Sequence, residues 1–203
     1  QKMLPIKTYN LHQHQRTSGM IIDNEKHNLY VINAERLSKF ELLTSKKSSY
    51  VNNSIFSCIS FMKTAENNQI TLYGDTANTI TFDCNKFSRH TINNTVQYSI
   101  TTRVFKLLHS ATKQLLICAH GDGHVYIFKT TQPQIASVAR IENPYNTKRI
   151  IACISLSFLD GHEDGEFVLV GDVEANMFII DLNSYLIVQK FKGEAHVHSF
   201  ITV

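Results

Sequence analysis

Three Gly-Asp pairs, Gly74-Asp75, Gly121-Asp122 and Gly171-Asp172, each close one apolar run and open another, and their aspartates are spaced by 47 and then 50 residues. A recurrence of this kind restricts the fold more than any single motif. A chain that repeats one supersecondary unit must stack the copies to bury their apolar faces. The unit is built from strands. Apolar residues alternate or cluster in short runs rich in β-branched side chains: QITLYGD, QLLICAHGD and EFVLVGD before the turns, NTITFDC, HVYIFK and NMFIIDLN after them. That pattern argues against helix and for strand throughout.

Two further strands complete each copy. Upstream of the first and third pairs stand the matching stretches SCISFM, from Ser57, and ACISLSF, from Ala152, with TTRVFKLL in the corresponding place of the middle copy. Downstream come SRHTI, QIASVARI and YLIVQKF. The expected units therefore have four strands each, over residues of about 55–93, 101–141 and 150–192. Residues of about 20–45, GMIIDNEKHNLYVINAERLSKFELL, read as the last three strands of an earlier unit, and residues 196–203, HVHSFITV, begin a later one. Strands beginning near Gln69, Gln114 and Glu166 are expected to hold the same position in successive units. The Asp-Gly step at Asp122 predicts a tight two-residue hairpin, since Gly accepts the positive φ such turns need.

Composition narrows the class. With 203 residues, 43% of them hydrophobic, the chain can bury a substantial core. A net charge of +3, with Lys and Arg scattered apart from Lys46-Lys47 and Lys148-Arg149, permits nucleic-acid binding without pointing to it. There is no apolar run of about 18 residues and no signal-peptide core in residues 1–20, so the expectation is an intracellular protein, cytoplasmic or nuclear, without a membrane span. Cys58, Cys84, Cys118 and Cys153 show no C-x-x-C spacing and are read as free, buried thiols.

With four antiparallel strands per repeat, the chain resembles the WD-repeat β-propeller family. DGHVYIFK, residues 122–129, is similar to that family's Asp-Gly turn and following strand, with Phe128 and Lys129 where Trp and Asp would stand. Phe82-Asp83 and Ile180-Asp181 keep the Asp of that pair; the chain contains no tryptophan, and the Gly-His that opens such repeats is missing. The resemblance implies an all-β fold, a β-propeller of four-stranded antiparallel blades. About four blades lie within residues 1–203, as a segment of a seven-bladed ring that further blades or a partner chain would close. It also implies that Asp75, Asp122 and Asp172 are structural turn residues, matching the aspartate of the family's blade-stiffening hydrogen-bond network. Cut from its ring, such a segment is expected to self-associate.

The functional expectation that follows is a non-catalytic scaffold docking other proteins or peptides within a multiprotein complex, with no catalytic residue and no cofactor. The family's commonest docking face, placed on this sequence, contains Lys46, Lys47, His124, Tyr145, Lys148 and Arg149. Of its loops NPYNTKR, residues 143–149, is the most attractive, because Tyr and Arg are favoured interface anchors. The alternative is a nucleic-acid-associated subunit, as in RNA processing, using the same basic loops on phosphates. No metal is expected. His120 and His124, like His196 and His198, have usable spacing but no acidic or cysteine ligand at a recurring offset, and DGHEDGE, residues 160–166, lacks the alternation of a calcium loop.

Overall fold

In a computed structural model of the chain the described residues are 17–33, 36–51, 56–63, 69–75, 79–83, 88–91, 104–130, 136–147, 150–156 and 165–194. They form sixteen strands in four antiparallel sheets. Sheet one is β1 (Thr17–Asp23), β2 (Asn28–Asn33), β3 (Arg36–Glu41) and β4 (Lys47–Val51). Sheet two is β5 (Phe56–Lys63), β6 (Gln69–Asp75), β7 (Thr79–Asp83) and β8 (Ser88–Thr91). Sheet three is β9 (Val104–Ser110), β10 (Leu115–His120), β11 (His124–Lys129) and β12 (Ala136–Glu142). Sheet four is β13 (Ile150–Leu156), β14 (Phe167–Asp172), β15 (Asn176–Asp181) and β16 (Leu186–Lys192).

Within every sheet the strands lie in chain order, each paired with the next. The strands expected from Gln69, Gln114 and Glu166 are β6, β10 and β14, the second strand of successive sheets. Between sheets the first strands meet: β1 lies against β5, β5 against β9, and β9 against β13. The fourth strands consequently form the far rim, three strand spacings of about 4.8 Å away from that seam.

Alternation explains how the layers hold together. In sheet three Leu115, Ile117 and Ala119 of β10 and Val125 and Ile127 of β11 share one face, because Ile117 pairs with Ile127 and Ala119 with Val125. That face packs on Val168 and Val170 of β14 and on Phe178 and Ile180 of β15, forming one buried core between sheets three and four. Each of these side chains larger than Ala119 contributes roughly 1.5–3 kcal/mol on leaving water. All six residues of β10 are buried, so sheet three is an inner layer covered on both faces.

The structure shows an all-β chain of antiparallel sheets, and among the described residues the four sheets are open, with no closed ring. The three strands expected in residues 20–45 are β1, β2 and β3, but they are the first three of sheet one and not its last three, since a fourth strand, β4, follows them. Its last strand, β4, is KSSYV with only Tyr50 and Val51 apolar or aromatic; a mostly exposed edge strand has no reason to alternate and gives periodicity nothing to detect. Residues 196–203 lie outside the described residues.

Candidate functional site

Each second strand ends in a polar residue at the turn toward the third. Asp75 closes β6, Asp172 closes β14, and His120 closes β10, with Asp122 two residues beyond it in the turn. In sheet one the place belongs to Asn33, which is buried and whose side-chain oxygen accepts no hydrogen bond from the described residues. Only the backbone of Asp75 is described; the two later corners are resolved in full.

At the Asp122 corner the turn is Gly121–Gly123, three residues instead of the expected two, with Gly123 at a φ of 84° and its N–H donating to the His120 carbonyl at 3.3 Å. The His124 N–H donates to Asp122 Oδ1 at 3.0 Å, and the Tyr126 hydroxyl donates to Asp122 Oδ2 at 2.9 Å. Arg140, on the neighbouring strand β12, places Nη2 2.8 Å from His124 Nε2. A guanidinium can only donate, so Nε2 is the acceptor and the ring carries its proton on Nδ1, which faces Asp122 Oδ1 at 3.3 Å. His120 packs edge-on against the Tyr126 ring, with centroids 4.7 Å apart.

These contacts decide the chemistry. Burial, the hydrogen bond to Asp122 and the charge of that carboxylate push the Tyr126 hydroxyl from 10.0 up to about 12. A phenol there gives up no proton near neutral pH. His124 is held between an arginine and a carboxylate, and His120 packs edge-on against the Tyr126 ring. Among the described residues no group of three or more His, Cys, Asp or Glu could hold a metal ion. Cys118 is buried; the side chains of the other three cysteines lie outside the described residues.

The Asp172 corner joins two sheets. Asp172 is fully buried, and Oδ1 accepts the N–H groups of Glu174 and Asn176 at 2.9 Å each. Oδ2 accepts the amides of Asn176 at 2.9 Å and of Asn143 at 3.0 Å. Asn143 stands just past β12, on the connector out of sheet three, and its amide also donates to the Thr147 carbonyl at 3.2 Å. Burial alone would raise the Asp172 carboxyl, but the amide hydrogen bonds from Asn143 and Asn176 outweigh it and hold the group below its ordinary 3.8.

The structure gathers only part of the expected docking face. His124 opens β11, and Tyr145 sits on the connector, its hydroxyl donating to the Phe191 carbonyl at 3.0 Å; both lie at the corner end of the sheets. Lys46 and Lys47 do not join them. They stand in the β3–β4 turn and at the start of β4, and turns between third and fourth strands lie at the opposite strand end from those between second and third. Lys47 reaches over the Phe40 ring, 5.3 Å from its centroid. Lys148 and Arg149 lie outside the described residues. Asn143, Asn176, Tyr126 and Arg140 were not singled out from sequence. Asn143 is 29 residues from Asp172, and only the folded stack makes them neighbours.

Compared with known families, residues 7–115, more than half of the chain, match the model of the GPI inositol-deacylase beta-sandwich domain. The chain belongs to this family. The match runs through sheets one and two and ends at the first residue of β10. No curated protein matches the chain.

Membership of this domain family overturns the WD-repeat identification. With it go the seven-bladed WD ring, the scaffold that docks protein partners and the nucleic-acid-associated alternative. The physical reason lies in what carried the resemblance. Four antiparallel strands that repeat and stack are a general way to bury alternating faces, whereas the Trp and Gly-His that would have marked the WD family are absent from this sequence.

Proposed function

We propose that the chain is a structural domain of a GPI inositol-deacylase, supporting removal of the acyl chain from the inositol of a glycosylphosphatidylinositol without supplying the reacting groups. The family match over residues 7–115 carries this, and it ties the chain to an enzyme where none was expected. Placing the reacting groups elsewhere in the enzyme is supported by how the polar corner residues are engaged: Asp122, His124 and Tyr126 bind one another, and Asp172 clasps two sheets. On architecture, the finer reading is that each four-stranded sheet uses its neighbour as a second layer, so that pairs such as sheets three and four form sandwiches face to face.

The test uses the complete deacylase that contains this chain, with acyl-inositol and deacylated GPI quantified by mass spectrometry. His124→Gln and Tyr126→Phe should leave turnover per folded molecule unchanged, whereas Asp172→Ala should lower activity only in proportion to the folded protein lost. A fall in kcat for His124→Gln in a protein that melts normally would place a reacting group here and overturn the proposal.

A further inference from the structure

The last strand of sheet four is the most exposed apolar strand of the described residues. In β16 Leu186 is 65% exposed, Phe191 39% and Val188 36%, and Lys190 and Lys192 beside them are exposed as well. Pairing assigns the faces: Leu186, Gln189 and Phe191 lie opposite Asp181, Ile179 and Met177, on the face turned away from sheet three, while Lys190 and Lys192 lie opposite Phe178 and Asn176. The strand carries no acidic residue.

An exposed edge can accept another strand, but this one is built against it. Lysines on an edge oppose pairing, and a bulge between Ile179 and Ile180 leaves Val188 out of register. The Phe191 carbonyl is already occupied by the Tyr145 hydroxyl. Apolar side chains with flanking lysines on a rim closed to strand addition fit a different occupant. Leu and Phe enter the boundary between headgroups and acyl chains, while lysine stems lie along the apolar surface and carry their ammonium groups to lipid phosphates.

We propose that β16 is a membrane-contact strand that seats this rim of the domain on an anionic lipid surface, with Leu186 and Phe191 inserted and Lys190 and Lys192 on the headgroups. The proposal goes beyond the deacylase reading and does not rest on it: it stands on exposure, pairing and charge, and the domain could touch lipid whatever the enzyme it serves.

The experiment is flotation of the full chain with phosphatidylcholine vesicles with and without phosphatidylserine. The chain should float with the anionic vesicles and far less with the neutral ones. Lys190→Gln with Lys192→Gln should weaken binding about 25-fold, at about fivefold per lysine. Leu186→Ser with Phe191→Ser should abolish it. All four side chains are exposed, so the melting transition should be unchanged, which separates lost binding from lost fold. Absence of flotation by the wild type, or flotation that neither double variant reduces, would overturn the proposal. Self-association by light scattering that Leu186→Ser with Phe191→Ser removes, without vesicle binding, would make β16 a protein interface and overturn it equally.

Discussion

The turns after β10 and β14 both carry a Gly-Asp pair, yet they do different things. Asp172 is the last residue of β14, paired with Ile150, whereas His120 holds that place in β10, paired with Val104, and Asp122 stands two residues further on. Asp122 keeps its bonds within its own sheet, to the His124 backbone and the Tyr126 hydroxyl, and remains partly open to water. Asp172 is fully buried and accepts an amide from the sheet-three connector, so it holds two layers together. The difference teaches that a two-residue offset in the turn, together with the layer beside it, decides what a turn carboxylate is worth. A carboxylate tied only to its own strands can lose its bonds to solvent; one bonded across layers leaves buried amides stranded when removed.

The largest expected effect follows from that asymmetry. Asp172→Ala leaves the Asn143 and Asn176 amides and two backbone N–H groups without their acceptor, and should cost about 3–5 kcal/mol in denaturant unfolding. Acid sharpens the point. The folded carboxyl is held below its ordinary 3.8, so its contribution is present above that pH and is lost as the pH falls through the lower folded value. The gap between wild type and Asp172→Asn should therefore be widest near neutral pH and narrow below 3.8. A gap that stayed constant into strong acid would mean that the charge of Asp172 does not stabilise the clasp.

The Asp122 corner should respond to alkali instead. Tyr126 is raised from 10.0 to about 12, so the stability it contributes is intact below pH 10 and lost as the pH rises through about 12. Two pH units correspond to roughly 2–3 kcal/mol. Wild type should lose stability relative to Tyr126→Phe across that window, because only the tyrosine has a buried hydroxyl to ionise, and ultraviolet titration of the phenol should report the midpoint. Asp122→Ala should return the midpoint toward 10 and cost about 1 kcal/mol, clearly less than Asp172→Ala. Equal losses at the two corners would break the comparison.

Much of this architecture was legible in the sequence, because alternation and turn residues are local. QLLICAHGD and HVYIFK placed β10 and β11, and the Gly-Asp spacing placed three corners at once. What escaped was whatever needed a second layer or lacked a local signal. The strand KSSYV does not alternate, so β4 was missed and Lys46 and Lys47 were assigned to the wrong end. Asn143 and Asn176 are ordinary residues in sequence and become a clasp only when sheet three meets sheet four. The family escaped for a related reason: stacking strands satisfies the same burial rule in many families, and a repeat alone cannot tell them apart.

The smallest effect sharpens the comparison at the connector that the Asp172 corner controls. Tyr145 was expected to be an interface anchor, yet its hydroxyl donates to the Phe191 carbonyl, while its N–H donates to Asn143 Oδ1 at 3.0 Å. Tyr145→Phe keeps the ring and the backbone bond and removes one hydrogen bond at an exposed site, so it should cost only about 0.5 kcal/mol. Hydrogen exchange should show more than the melt does. Losing that bond frees one end of β16 locally, so the amides near Phe191 should exchange faster while those of Val170 and Phe178, in the core between sheets three and four, keep their protection. If protection fell equally in both places, the connector would be part of the global core and not a local strap, and the sharp line drawn between buried clasp and exposed rim would disappear.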